Sequence, residues 1–260
     1  MATELAVTVA QAPSGETRLE TDWSRLVAHV DREGSDLVVL PEMPFYRWLP
    51  ATDDVDPDAW ERAVRAHDEW VERFDELAPA AVTGSRPVVR EGTRLNEAFV
   101  RDADDGYRPV HHKAHLPDEA GFREASWYEA GRGEFEPVEV AGVSVGVLVC
   151  TELWAMEQVR AYGRERVDCL VTPRATGAAT SGKWLAAGRT AAVVAGAFSL
   201  SANRSGTEDD GPAFAGESWC FDPDGERLAV TSADEPFATV TIDVEAARRA
   251  RETYPRYAID

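Results

Sequence analysis

An α/β fold is predicted by three features: a continuous apolar run that stops at a proline, apolar strands separated by helical periods, and a second strand-helix-strand unit late in the chain. Alternation in Leu5-Ala6-Val7-Thr8-Val9 reads as a first strand. Trp23, Leu26, Val27 and Val30 then recur at helical spacing before Gly34 ends the helix. Asp36-Leu37-Val38-Val39-Leu40 is apolar without alternation, as expected of a parallel strand buried on both faces, and Pro41 and Glu42 follow it.

From Pro57 to Leu77 the chain is charged and helical, with Trp60, Val64, Trp70 and Phe74 on the expected inner face. Ala80 to Thr83, Pro87 to Val89 and Asn96 to Arg101 read as strands, the last turning through Asp104-Asp105-Gly106 into Tyr107 to His112. Leu116 to Gly133 has no clear period and reads as a long ordered loop, a class often functional. Two strands around Gly142 cover Val138 to Cys150. A helix from Met156 to Arg166 and a strand from Cys169 to Thr172 complete the second unit. Ser181 to Val194 is helical and Ala197 to Ala202 a strand. Ser218 to Phe221 and Leu228 to Val230 form a hairpin across Asp222-Pro223-Asp224-Gly225. Ala238 to Ile242 is a last strand and Val244 to Arg251 a last helix. With no repeat or linker visible, residues 1–260 are expected to form a single domain.

Composition narrows the function. A formal net charge of −20 repels nucleic acid and anionic lipid, so neither is expected as a partner. No stretch approaches the roughly 18 apolar residues of a membrane span, and the start lacks a basic leader region, so a cytoplasmic protein is expected. Acidic residues outnumber basic ones 47 to 27 and are dispersed, which suggests a surface suited to high salt and a halophilic source. Cys150, Cys169 and Cys220 are odd in number and widely spaced, which argues against disulfides or a zinc site. Only Lys113 and Lys183 are lysine; every other basic residue is arginine. A site needing a compact ammonium cannot accept the planar guanidinium, which directs attention to Lys113. For Lys183 no chemical task is visible.

Ligands of open α/β sheets bind beyond the carboxyl ends of the strands. Three reactive side chains are predicted there: Glu42 after DLVVLP, Lys113 after YRPVHH, and Cys150 after VSVGVLV. Cys150 can also be a small buried hydrophobe. However, the polar turn Thr151-Glu152-Leu153-Trp154 lets it face a pocket, with the Thr151 N–H available to an oxyanion. Its neighbours Met43, Pro44, Phe45, Tyr46, Trp48 and Leu49 desolvate Glu42, which raises a carboxyl pKa and suits a proton carrier. A catalytic Cys150 is expected to react with iodoacetamide faster than Cys169 or Cys220, as in a thiolate-favouring site. Gly142-Val143-Ser144-Val145-Gly146 fits the serine elbow pattern. Strand formers follow it and all five histidines precede it, so Ser144 is assigned to the sheet. His111, His112, His115, Asp118 and Glu119 have metal-ligand chemistry, but Lys113 among them opposes a cation, and no metal is expected.

LPEMPF, HHKAHLPDEAGFREASWYEAG and VGVLVCTELWAMEQVR resemble the glutamate, lysine and cysteine motifs of the nitrilase superfamily of carbon-nitrogen hydrolases. GRTAAVVAGAFSLSANRSG and GESWCFDPDGERLA resemble the rest of its framework. The resemblance implies a four-layer α-β-β-α sandwich, assembled as a homodimer or larger homo-oligomer. It makes Cys150 the nucleophile, Glu42 the general base, Lys113 the oxyanion stabiliser and Glu124 a second glutamate orienting the triad or substrate. No cofactor is implied.

The chemistry implied is hydrolysis of a non-peptide C–N bond through a cysteine thioester, with a small amide or N-carbamoyl compound as substrate. Thr151, where nitrile-cleaving members commonly carry Trp, turns the expectation from nitrilase to amidase or carbamoyl amidase. A nitrilase, an acyl transferase and a non-catalytic binding protein are the alternatives. Arg174, after the strand that follows the cysteine, is expected to clamp a substrate carboxylate. Phe45 and Trp154 are expected as apolar pocket walls.

Overall fold

In the computed structural model, the residues described are 4–13, 18–103, 105–207 and 211–258. The first half runs β1 (Glu4–Ala10), β2 (Ala12–Pro13), α1 (Leu19–Glu33), β3 (Leu37–Glu42), α2 (Pro57–Glu72), β4 (Ala81–Arg90), β5 (Thr93–Asp102) and β6 (Gly106–His112). A connecting segment carries β7 (Asp118–Glu119), β8 (Phe122–Arg123) and α3 (Glu124–Trp127). The second half runs β9 (Val138–Val140), β10 (Val143–Val147), α4 (Met156–Arg164), β11 (Cys169–Arg174), α5 (Ser181–Ala195), β12 (Phe198–Thr207), β13 (Ala213–Ala215), β14 (Trp219–Phe221), β15 (Arg227–Val230), β16 (Phe237–Asp243) and α6 (Val244–Ala250). Gly34 closes α1 at φ 63°, a left-handed position that glycine adopts without a Cβ clash.

These strands form two large sheets. The first has the order β16-β1-β3-β4-β5-β6 and the second β15-β14-β12-β11-β10-β9, with β2 and β13 added to β12. Each has three parallel strands at its heart, β1-β3-β4 in one and β10-β11-β12 in the other, flanked by antiparallel strands. Period-two geometry sends alternate side chains to opposite faces. Val7, Val9, Leu37 and Val39 meet Val145, Val147, Val171 and Leu200 between the sheets. Val38, Leu40 and Val82 face Trp23, Leu26 and Val30 of α1 on one outer side. Leu148 and Leu170 face Val159 and Tyr162 of α4 and Ala191 and Ala192 of α5 on the other. The result is a four-layer α-β-β-α sandwich, and it explains the apolar run at Leu37–Leu40, which is buried on both faces.

The expected pair Ala80 to Thr83 and Pro87 to Val89 is one strand, β4. Its neighbour β3 ends at Glu42 opposite Ser85, so Pro87 lies where one side of β4 has no ladder to interrupt. The expected loop from Leu116 to Gly133 contains the β7–β8 hairpin and the single turn α3. The strand expected to reach Cys150 stops at Val147, and Cys150 opens a 3-10 turn running to Trp154.

Two contacts outside the sheets hold the frame. Gly188 of α5 lies so close to the Trp219 ring of β14 that an added Cβ would stand 2.4 Å from it. His67 of α2 is buried, donates from Nδ1 to Ala63 O (2.7 Å) and accepts at Nε2 from the Phe45 amide (3.2 Å), so it holds the chain just after β3. Burial, aided by the charges of Arg86 and Arg204, pulls its pKa from 6.5 down to about 3.

Gly188→Ala is expected to lower unfolding free energy despite the ~1 kcal/mol that alanine gains in helix propensity, since overpacking a rigid ring costs about 1–3 kcal/mol. Urea titration measures it, and equal or higher stability rejects the contact as limiting. Acid behaviour tests His67. Between pH 6.5 and about 3 the unfolded chain binds a proton that the folded ring refuses. Stability is therefore fully present above 6.5 and falls with falling pH, by up to about 1.4 kcal/mol per unit from this group. His67→Phe should show a shallower decline of urea-derived stability between pH 6.5 and 4.5; an identical slope counts against the assignment.

Candidate active site

The site is assembled at the carboxyl ends of the central strands. Pro41 lacks an N–H for the ladder, and the β3–β4 pairing shifts register between Val39 and Glu42, a bulge that re-aims the strand end. Glu42 is the last residue of β3, fully buried, and Met43 after it turns at φ 41°. Glu42 Oε1 accepts from Asn96 Nδ2 (2.8 Å) and Lys113 Nζ (2.9 Å), while Oε2 is buried with no partner among the described residues. The turn is braced from the second sheet, where Arg204 of β12 donates to Met43 O (2.5 Å) and Tyr46 O (2.8 Å).

Lys113 follows β6 directly. Its amide donates to Asn96 O (2.9 Å), its carbonyl accepts from Gly131 N (2.8 Å), and its side chain is fully buried. Besides Glu42, the ammonium meets Glu124 Oε2 at 2.5 Å, and the Tyr128 hydroxyl donates to that same oxygen. Glu124 starts α3, so Lys113 and Tyr128 reach it from opposite ends of one short segment. Burial works against the Lys113 charge, but Glu124 and Glu42 outweigh it and hold the pKa well above the ordinary lysine value. Burial also pushes the Glu124 carboxyl up to about 7, against the pull of Lys113 and with the help of Glu42.

Cys150 is held at φ 52°, a left-handed conformation that non-glycine residues rarely adopt and that recurs at functional sites. Glu152 anchors this turn. Its Oε2 accepts from Val149 N (2.7 Å) and its Oε1 from Ala114 N (2.6 Å), while His111 Nε2 lies 2.9 Å from both oxygens. One buried carboxylate thereby ties the cysteine turn to the residue after Lys113. Burial pushes the Cys150 thiol well above its usual pKa, Glu42 adds to the rise, and Lys113 opposes it. That direction runs against the expectation of a thiolate-favouring site and favours the protonated thiol.

A cavity of about 270 Å³ opens beside Cys150, lined also by Glu124, Thr151, Phe122, Trp154 and Trp184. Trp154 stands on this wall, 46% exposed, and Thr151 is the second residue of the 3-10 turn, whose first N–H groups have no intrahelical acceptor. Two expected ligand contacts are corrected. Arg174 is buried, its guanidinium bonded to Ser201, Thr176 and the Glu217 carbonyl and stacked 3.8 Å from the Trp219 ring centre. Those contacts make it a tie between strands, with no place on the cavity wall. Phe45 stacks on Trp70 within the layer under α1, on the helix side of the sheet.

Ser144 lies in β10, its amide donating to Asp168 (3.2 Å), and carries no elbow geometry. His112 Nε2 lies 3.1 Å from Glu97, and His111 is taken up by Glu152. Among the described residues no group of three or more His, Cys, Asp and Glu is arranged to hold a metal ion. Asn96, Tyr128, Glu152 and Arg204 escape a reading based on strand ends, because each acts from inside a strand or a turn. Lys183 was set aside as having no task, yet it lines the cavity; the scarcity of lysine was the signal available.

The sequence matches the model of the Carbon-nitrogen hydrolase family over residues 6–252. A citrullinase of Francisella tularensis subsp. tularensis is 25% identical over 158 residues, covering 56% of this chain and 52% of its own length. An (R)-stereoselective amidase of a Pseudomonas species is 29% identical over 146 residues, 51% of each chain. The chain thus spans about half the length of the curated relatives it matches. A carbon-nitrogen hydrolase of Helicobacter pylori G27 shares the fold at a TM-score of 0.88 and 24% identity, over 99% of this chain and 95% of that one. With a family match running nearly end to end, and with the sandwich already described, the chain belongs to the carbon-nitrogen hydrolase family.

Proposed function

We propose that this protein hydrolyses a small amide or N-carbamoyl compound through a thioester on Cys150, with Glu42 as proton carrier and Lys113 as oxyanion stabiliser. The observation that carries this reading is the Lys113 ammonium, buried between Glu42 and Glu124 at 2.9 and 2.5 Å, with Glu124 lining the same cavity as Cys150. A structural lysine gains nothing from such burial, whereas an ammonium fixed in a dry site stabilises developing negative charge without reorganising. The names of the relatives, citrullinase and amidase, support an amide-type bond.

The raised thiol pKa gives Glu42 its task. Its unpartnered Oε2 takes the Cys150 proton as the sulfur attacks the substrate carbonyl carbon, so the thiolate exists only while it is being used. The carbonyl oxygen becomes an oxyanion held by Lys113 and the Thr151 N–H. Collapse breaks the C–N bond, and Glu42 returns the proton to the departing nitrogen. Water then donates a proton to Glu42 and attacks the thioester, releasing acid and restoring the thiol. Glu124 and Tyr128 keep the ammonium in position. No cofactor enters these steps.

We place the protein in the cytoplasm, as a homodimer or larger homo-oligomer, with an acidic surface adapted to salt. The charge of −20 supports the last point, and no helix among the described residues is long and apolar enough to cross a membrane.

Ammonia release from panels of small amides, N-carbamoyl compounds and nitriles, measured at high salt, tests the activity. Cys150→Ala is expected to lower the rate at least about a thousandfold, the scale on which nucleophile removal acts. Mass spectrometry of the wild-type enzyme quenched during turnover should find the acyl group on Cys150. Acyl groups elsewhere, or an active Cys150→Ala, overturn the mechanism. Product analysis separates hydrolysis from transfer to an added amine. For the surface, the thermal midpoint should rise as KCl increases from low to molar concentration, because screening relieves self-repulsion; a flat response removes the halophilic reading.

A further inference from the structure

The cavity beside Cys150 carries two charges that the chemistry above does not use. Lys183 sits in the first turn of α5 and Glu119 at the end of β7, on segments that approach the cavity from different parts of the chain. Both are exposed, and neither forms a hydrogen bond or ion pair through its side chain with any described residue. They do not pair with each other, although they line the same space.

Lys183 is costly where it stands. The first turn of α5 holds no acidic residue, and the helix dipole disfavours a cation at that end. In a chain with 47 acidic residues and two lysines, an ammonium left without a carboxylate is conspicuous. The same helix end and the Lys183 ammonium both attract an anion. Glu119 offers the complementary charge. Phe122, Trp154 and Trp184 wall the same cavity, the two indoles packed edge to face at 5.4 Å. One cavity lining thus offers a sulfur to a reacting carbonyl, aromatic rings to an apolar body, and both signs of charge to a polar head. Its 270 Å³ lies just below the roughly 300–1,000 Å³ of drug-sized sites, which limits the guest to a small metabolite.

We propose that Lys183 and Glu119 bind the carboxylate and ammonium of an α-amino acid, so that the substrate is an amino acid bearing its amide or ureido group at the far end of the side chain. This rests on the hydrolase reading and adds the substrate class to it.

Two matched series test the proposal. The amides are butyramide, 4-aminobutanamide, glutaramate and L-glutamine, which carry neither charge, the ammonium, the carboxylate, and both. Butylurea, N-(4-aminobutyl)urea, 5-ureidopentanoate and L-citrulline repeat the pattern with a ureido group. In at least one series kcat/KM should be highest for the doubly charged member, by about tenfold over the neutral one, since each partly exposed ion pair contributes up to about fivefold. Lys183→Ala should reduce the preference for carboxylate-bearing over carboxylate-free members, acting through KM, and Lys183→Glu should reverse its sign. Glu119→Gln should reduce the preference for the ammonium. Turnover in which charge makes no difference, or in which these variants leave the preferences intact, overturns this inference while leaving the hydrolase standing. Ammonia from none of the eight compounds, with no acyl adduct on Cys150, overturns both.

Discussion

The ammonium of Lys113, fully enclosed and flanked by two carboxylates, is the interaction on which the rest of the site depends. An isolated buried charge is too costly to persist, so each member requires the others. Two carboxylates against one ammonium leave an excess negative charge, and burial together with the charge of Glu42 pushes the Glu124 carboxyl up to about 7. The arrangement pins three distant segments together: the end of β3, the end of β6 and the first residue of α3.

Holding these groups in register with the sulfur falls to ties between the two sheets. Arg204 of β12 reaches across to the carbonyls that follow Glu42. Glu152 reaches back from the cysteine turn to the amide that follows Lys113. Each tie is itself buried and built from charge-assisted hydrogen bonds, the strong class. Met43 and Cys150, at φ 41° and 52°, are among the described non-glycine residues with left-handed backbone, and these two stand at the site, one directly after Glu42 and the other carrying the thiol. Such conformations persist only where neighbours over-determine them, which is what these two ties do.

The division of labour around the cavity follows the same logic. Arg174 is fully engaged in holding β11, β12 and the segment before β14 together, so its charge is not available to a ligand. Lys183 forms no side-chain hydrogen bond or ion pair with any described residue, so its charge is. Of two basic residues near the cysteine, the one that looked functional from its strand-end position is structural, and the one without an evident task faces the open space.

Much of this was legible from residues alone. The apolar run at Leu37–Leu40 requires layers on both faces, and the parallel strands direct attention to their carboxyl ends, where Glu42, Lys113 and Cys150 stand. Motif resemblance added Glu124 and the sandwich. Orientation was not legible. Phe45 and Arg174 adjoin the site in sequence, but period-two alternation and the packing of α1, α5 and β14 turn one into the helix layer and the other into the strand ties. The upward push on the Cys150 thiol pKa likewise comes from burial and from charges on three other segments. Sequence by itself determined which residue types stand at which strand ends, because local periodicity is a property of neighbours along the chain. Only the tertiary structure decided which side chains are spent on the frame and which remain for a ligand, because hydrogen-bond partners and desolvation come from residues tens to hundreds of positions away.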